Sequence, residues 1–184
     1  MAVPQYVFRR VERFREKYGK VEDEVMEITK KAFGGDVEKA TEKEDMEKHV
    51  DFWWDSPRRG RIGIDVKGIK KNDKKEEDDS FQWLEFTNVK GNPGWLYGEE
   101  EYIAFKTFTQ IVYVKREVLK DYAEKKMGNK KPVNYRPDEY FVPYTRSKWG
   151  RYDVVIKVPM SDIIELAKGK DEDGHSNGFF AVFD

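Results

Sequence analysis

The sequence predicts a mixed α/β domain, because helical and strand-like patterns alternate along the chain. Apolar residues recur at helical spacing in 21–33 and 116–127, whereas the aromatic-rich segment 81–89 alternates as a strand does. The 184 residues contain no run of eighteen apolar residues, so no membrane span is expected. This length is most simply one domain, 1–184, with enough chain to bury a core.

The first part of the chain is predicted to form helices and then strands. A basic, weakly amphipathic helix is expected over 4–18, and a second helix over 21–33, which two glycines terminate. A short strand follows near 37–40, and the Thr-x-x-Glu pattern of 41–44 predicts a capped helical turn. Two apolar strands joined by a Ser-Pro-Arg-Arg-Gly loop come next, at 49–54 and 61–69.

Turn signals divide the rest of the chain. Residues 70–79 are a charged, low-complexity hairpin tip, and the strand 81–89 ends at a Gly-Asn-Pro-Gly turn. A strand at 107–114 precedes the helix 116–127, and residues 128–137 are predicted to be a loop. The last predicted elements are a strand at 151–158 and a short helix at 161–168.

The composition restricts the chemistry of any metal site. Cysteine is absent and there are only two histidines, so disulfides, thiolate zinc sites and cysteine nucleophiles are excluded. A metal would be held by carboxylates, which favours Mg²⁺, with Mn²⁺ as a substitute. The N-terminal residues lack the apolar stretch of a secretory signal, so a soluble cytoplasmic protein is expected.

Charges are segregated along the chain although the net charge is only −1. Residues 1–20 contain six basic and two acidic residues, and segments 57–75 and 125–151 each contain eight basic and two acidic ones. Residues 21–48 instead carry ten acids and five bases. This pattern can build a basic rim around an acidic pocket, as nucleic-acid cleavage needs, or a heavily solvated surface.

The segment from His49 to Lys67 carries the candidate site. Strand alternation places Asp65 and Lys67 on one face, and Asp51 stands at the edge of the preceding strand. Phosphodiester hydrolysis needs acids that hold a metal and a group that orients the attacking water. Asp51 and Asp65 are the predicted ligands, with the Val66 carbonyl as a third. Lys67 is predicted to stabilise the phosphate charge.

These residues resemble the PD-(D/E)XK nuclease superfamily, which includes restriction enzymes, Holliday junction resolvases and phage recombination nucleases. The pattern of that family is an acid on the first core helix, an Asp on a strand and an Asp- or Glu-x-Lys triplet on the next strand. Glu24, Asp51 and the Asp65–Lys67 triplet stand in that order here. The resemblance implies a restriction-endonuclease-like αβββαβ core with a mixed sheet flanked by helices, over about 20–115, and a C-terminal extension over about 116–184. Several acids of the first helix compete for the helical position, and Glu24 is preferred because it borders the apolar stripe.

The resemblance implies a Mg²⁺-dependent nuclease acting on DNA, expected to be an endonuclease, in the cytoplasm or in a host cytoplasm if phage-encoded. A homodimer would be natural for cutting both strands, and neither a membrane nor a small-molecule cofactor is expected. The alternative is a catalytically silent nuclease fold that binds nucleic acid or another protein. Further candidates for the site or for substrate contacts are Glu85, which could instead only pair with Lys67, and Asn88 and Lys90, which could instead lie on an exposed face. Arg146, Lys148 and Arg151 belong to a basic cluster that suits a nucleic-acid backbone or is a surface cluster without function.

Overall fold

The computed structural model describes residues 7–11 and 20–184. The α-helices in this part of the chain are α1 Val21–Phe33, α2 Glu42–Lys48, α3 Arg116–Met127 and α4 Met160–Lys168. The first six strands are β1 Val7–Val11, β2 Asp36–Lys39, β3 Phe52–Ser56, β4 Gly60–Lys67, β5 Lys70–Lys71 and β6 Glu77–Asp78. The remaining strands are β7 Phe81–Thr87, β8 Tyr102–Lys106, β9 Gln110–Lys115, β10 Tyr144–Thr145, β11 Val154–Pro159 and β12 Gly178–Phe183.

A mixed central sheet organises the fold. Its strand order is β1-β12-β9-β8-β4-β3-β2, and the pairs β1–β12 and β4–β8 are parallel while the others are antiparallel. Strands β10, β11 and β7 form a second, antiparallel sheet, which we call the small sheet. The predicted α/β class with a mixed sheet flanked by helices is therefore confirmed.

The two faces of the central sheet are covered by different helices. The apolar residues Val25 and Ile28 of α1 pack with Ile64 and Val66 of β4 on one face, which we call the α1 face. Helices α3 and α4 pack on the other face, where they share a core with β7, β8 and β11. Burying both faces explains why β4 reads as a nearly continuous buried strand from Ile62 to Val66.

Side-chain capping accounts for the start of α2. Thr41 is the N-cap residue: its hydroxyl accepts a hydrogen bond from the Glu44 backbone N–H, 3.2 Å away, and the Glu44 carboxylate accepts one from the Thr41 N–H, 2.9 Å away. This is the capping box that the sequence predicted. The helix leads directly to the start of β3, so its end positions Asp51.

Some predicted elements differ from the structure. The helix predicted over 4–18 is wrong at Val7–Val11, which forms a strand because β12 offers a parallel hydrogen-bonding partner; the rest of that prediction lies outside the described residues. Strand β12 itself lies in the segment expected to be a C-terminal extension, yet it joins the central sheet beside β9. Strand β8 was not predicted. Five strands separate β4 from α3, a longer insertion than an uninterrupted αβββαβ order contains.

None of the helices in the described part of the chain is both long and apolar enough to cross a bilayer.

Candidate active site

The β3–β4 hairpin fixes the first acid, Asp51. The strands are antiparallel with Phe52 opposite Ile64, so the residue before β3 reaches the end of β4. The Asp51 N–H donates to the Ile64 carbonyl at 2.9 Å, and Asp51 Oδ2 accepts a hydrogen bond from the Val66 N–H at 2.6 Å. Hydrogen bonds therefore hold both the backbone and the carboxylate of Asp51 against β4, and the carboxylate lies beside the Asp65–Lys67 triplet.

Asp65 and Lys67 form a buried ion pair on the face opposite α1. The residues opposite them on the neighbouring strand β8 are Ile103 and Phe105, which belong to the core under α3 and α4. Asp65 is 4% exposed, and Lys67 Nζ lies 2.9 Å from its Oδ1 and 2.6 Å from its Oδ2. The Lys67 ammonium also lies 4.8 Å from the centre of the Trp95 ring, a cation–π contact. The strand alternation predicted from the sequence is present.

Burial and like charges perturb the titration of these groups. Burial, followed by repulsion from Asp65, raises the pKa of Asp51 to about 8. Burial is the largest single influence on Lys67 and lowers its pKa, but the attraction and hydrogen bond of Asp65, together with the charges of Asp51 and Glu85, raise the lysine pKa overall. Lys70 lies nearby, and its pKa is lowered by burial and then by the charge of Lys67. Acids and lysines thus share a small, poorly solvated space.

Glu100 is a third acid of this site that the sequence analysis missed. It is 0% exposed, and neither of its carboxylate oxygens receives a hydrogen bond from any described residue. Burial and then repulsion from Asp65 raise its pKa to about 9. Gly98 makes room for this carboxylate, because a Cβ at that position would overlap Glu100 Oε2 and lie 2.9 Å from the Lys48 carbonyl.

The sequence did contain a signal for Glu100. An acidic run, Glu99 to Glu101, comes immediately before the apolar strand β8, just as Asp51 comes immediately before β3. Strand β8 is parallel to β4 with Tyr102 opposite Ile64, and the Glu101 N–H donates to the Gly63 carbonyl, so the residues that lead into β8 lie beside β4 just before Asp65. Without β8 in the predicted set of strands, this relation could not be recognised.

The donor set fits a hard divalent cation. Asp51, Asp65 and Glu100 offer carboxylate oxygens only, and the two Glu100 oxygens are buried without a donor among the described residues. Burial first, and repulsion from Asp65 second, raise the pKa values of Asp51 and Glu100, and a bound cation would offset both effects. The Val66 carbonyl stays a predicted ligand.

The tightest group of metal-type ligands among the described residues lies elsewhere. Asp171, Asp173 and His175 have ligand atoms within 4.8 Å of one another. Asp171 already pairs with Lys115 at 2.8 Å and accepts backbone N–H bonds from Asp173 and His175. These contacts account for the group as an exposed acidic turn.

Glu24 is not brought together with the other predicted acids. It is 7% exposed and forms an ion pair with Lys106, whose cross-strand neighbour Ile111 belongs to the core on the α1 face. Asp65 and Lys67 face the opposite side of the sheet. The structure therefore does not bring Glu24 together with Asp51, Asp65 and Lys67, because α1 and the Glu24–Lys106 pair lie on the other face of the sheet.

The remaining candidates fall into separate places. Glu85 is partly buried near Lys67, and burial raises its pKa while the Lys67 charge lowers it. Asn88 and Lys90 lie in a turn after β7 rather than on the strand, because Asn88 Oδ1 accepts the Lys90 and Asn92 N–H groups. Arg146 pairs with the buried Asp153 at 2.5 Å. Lys148 and Arg151 are exposed.

Comparisons of the chain with protein-family models, with curated proteins and with solved structures found no significant match.

Proposed function

We propose that the protein is a metal-dependent nuclease that hydrolyses phosphodiester bonds in DNA. The observation that carries this proposal is the convergence of Asp51, Asp65 and Lys67 at one end of the β3–β4 hairpin, with Lys67 Nζ 2.6 Å from Asp65 Oδ2. Two acids beside a buried lysine supply what phosphodiester hydrolysis requires: carboxylates for a cation and a positive charge near the phosphate. Glu100 supports the proposal as a third acid.

Each group has a distinct part in this proposal. Asp51, Asp65 and Glu100 would hold Mg²⁺, which supplies a Lewis acid for the phosphate oxygens and a water of lowered pKa. Lys67 Nζ stabilises negative charge on the phosphate and orients the water by donating hydrogen bonds. The Val66 N–H holds Asp51 in place through its 2.6 Å hydrogen bond to Oδ2. Trp95 limits the freedom of Lys67 by covering one side of its ammonium.

A restriction-endonuclease-like core is part of the same proposal. Helix α1 is followed by the antiparallel strands β2, β3 and β4, and β8 lies parallel to β4. The acids occupy the start of β3 and the end of β4, which is the arrangement that the PD-(D/E)XK pattern implies. The proposed site departs from that pattern in its third acid, Glu100, which comes from the segment before β8 instead of from α1.

A cleavage assay with a matched pair of lysine variants tests this function. Lys67→Met and Lys106→Met each remove a buried lysine from an acid–lysine pair, but on opposite faces of the sheet. With Mg²⁺ and with duplex, single-stranded and branched DNA, we expect cleavage by the wild type and Lys106→Met, and a loss of at least about 100-fold in Lys67→Met. Equal cleavage by both folded variants would refute the proposed site.

A catalytically silent, nucleic-acid-binding protein is the second candidate. The observation that favours it is that Lys67 already pairs with Asp65 and that Glu24 faces away, so the full acid set of the nuclease pattern is not assembled from α1. Salt-sensitive DNA binding without Mg²⁺- or Mn²⁺-dependent turnover in the same assay would establish this alternative.

A further inference from the structure

A small pocket opens on the outer face of the small sheet, next to the proposed active site. Glu85 lies opposite Val155, which in turn lies opposite Tyr144, so these residues form a row across β7, β11 and β10. Trp83 stands two residues before Glu85 and therefore shares this face. The pocket has a volume of about 260 Å³, which is below the usual size of drug-sized sites and suits one planar ring.

Flat side chains line this pocket. The rings of Trp83 and Tyr144 are 6.1 Å apart and tilted by 49°. The guanidinium carbon of Arg136 lies 5.6 Å from the centre of the Trp83 ring. The polar contacts of Arg136 with described residues are long, 3.4 Å to Asp73 and 3.4 Å to the Lys71 carbonyl, so a ligand can displace its guanidinium or stack on it. Aromatic and guanidinium planes favour a planar, π-bearing ligand.

Two carboxylates, Glu85 and Asp153, line the pocket together with two arginines, and one carboxylate oxygen has no donor among the described residues. Asp153 has a side chain that is 3% exposed, and its Oδ2 accepts hydrogen bonds from Arg146 Nε and Nη2 at 2.9 and 2.5 Å. Its Oδ1 is buried and receives no hydrogen bond from the described residues. A buried acceptor without a donor costs free energy, and Asp153 lines the pocket, so a ligand that brings an N–H group to this side would be favoured.

We propose that the pocket binds one unpaired nucleobase that carries an amino group, taken from the DNA strand that the site cleaves. This inference rests on the proposed function. Glu85 links the pocket to the proposed site because its carboxylate and the Lys67 ammonium attract each other, although burial raises the pKa of Glu85 overall. The base stacks against Trp83 and donates its amino group to Asp153 Oδ1. Cytosine satisfies this acceptor, whereas thymine places a carbonyl oxygen at the same position and is repelled.

Binding to oligo(dC) and oligo(dT) measures this selectivity, because the two bases are similar in size and differ at the amino position. Strands of about 12 nucleotides, within common site sizes, are titrated at low salt in EDTA, so that no hydrolysis occurs, and fluorescence anisotropy is recorded. We expect roughly tenfold tighter binding of oligo(dC) by the wild type. Asp153→Asn should abolish the preference, and Trp83→Leu should weaken both complexes at least about fivefold.

Two further variants keep this test decisive. Glu85→Gln leaves the Arg146–Asp153 pair intact but removes the second carboxylate of the pocket, whose negative charge also favours an amino group, so it should reduce the preference for oligo(dC). This variant replaces Asp153→Asn in the test if Asp153→Asn unfolds. Tyr152→Ala removes an exposed aromatic residue, 62% exposed, that does not line the pocket, and should bind as the wild type does. Equal affinity for the two oligonucleotides, a preference that survives in Asp153→Asn and Glu85→Gln, or no binding would each overturn the inference. Mg²⁺-dependent cleavage in the presence of any of these results would leave the proposed nuclease function standing.

Discussion

Replacing Glu100 by Gln should stabilise the metal-free protein, and by an amount that increases with pH. Glu100 is fully buried, and burial together with repulsion from Asp65 raises its pKa from 4.5 to about 9. The folded protein therefore holds the proton more tightly than the unfolded chain does. Its free energy of unfolding must fall as the pH rises from about 4.5 to about 9. Gln at this position is neutral at every pH, so the variant escapes this loss.

The size of the effect follows from the pKa shift of Glu100. One pKa unit corresponds to ~1.4 kcal/mol, so the whole shift represents an upper limit of about 6 kcal/mol. Raising the pH from 5 to 8.5 covers most of that range. Relaxation of the loop and entry of water around an ionised Glu100 reduce the penalty, so we expect a pH-dependent difference of about 2–3 kcal/mol between the two proteins.

Urea unfolding in EDTA at pH 5 and pH 8.5 measures this difference for the wild type and the variant. Glu99→Gln is the matched control, because Glu99 is the adjacent glutamate and its side chain is 68% exposed. We expect Glu99→Gln to show the pH dependence of the wild type. If the free energies of Glu100→Gln and the wild type change equally between the two pH values, Glu100 is not a buried acid with a raised pKa, and the reasoning is refuted.

Two further predictions concern the same acids. Asp51→Asn keeps the hydrogen bond from Val66 but removes a carboxylate, so Mn²⁺ affinity measured by calorimetry should fall at least about tenfold; an unchanged affinity would exclude Asp51 as a ligand. Gly98→Ala places a Cβ against the Glu100 carboxylate and should lower the free energy of unfolding by about 1–3 kcal/mol in a urea titration, with Mn²⁺ affinity lowered as well. A variant with wild-type stability and affinity would show that Gly98 does not position Glu100.

Local pattern was sufficient for the part of the site that lies on one hairpin. Alternation fixes which side chains of a strand share a face, so the common face of Asp65 and Lys67 could be predicted from β4 alone. The spacing from Asp51 to Asp65 fits two adjacent antiparallel strands, and the structure has them. Residues that contact each other within a hairpin are close together in the sequence, so alternation and turn signals can specify their contacts.

The choice between Glu24 and Glu100 depends on information that periodicity does not carry. The apolar stripe of α1 shows that the helix packs on a sheet, but not on which of its two faces. Asp65 and Lys67 lie on the face that helices and strands from later in the chain cover, and β8 is a short run of apolar residues between acids and a turn, which gives no clear alternation. Strand β1 shows the same dependence, since its partner β12 lies about 170 residues away and no local pattern predicts that pairing.

The two faces of the central sheet show why the acids near Lys67 differ from an ordinary structural ion pair. On the α1 face, Lys106 forms an ion pair with Glu24, and the two charges compensate each other. On the opposite face, Asp51 and Glu100 lie near the pair of Asp65 and Lys67.

Buried charges are tolerated when they are paired, so the excess of acids on that second face is costly to the fold unless protons or a cation neutralise it. Lys70 adds positive charge there, but its lowered pKa shows that burial and the charge of Lys67 oppose its protonation. A fold gains no stability from such an excess, whereas a site that binds a divalent cation requires it. The charge imbalance therefore favours a functional role for this face of the sheet over a purely structural one.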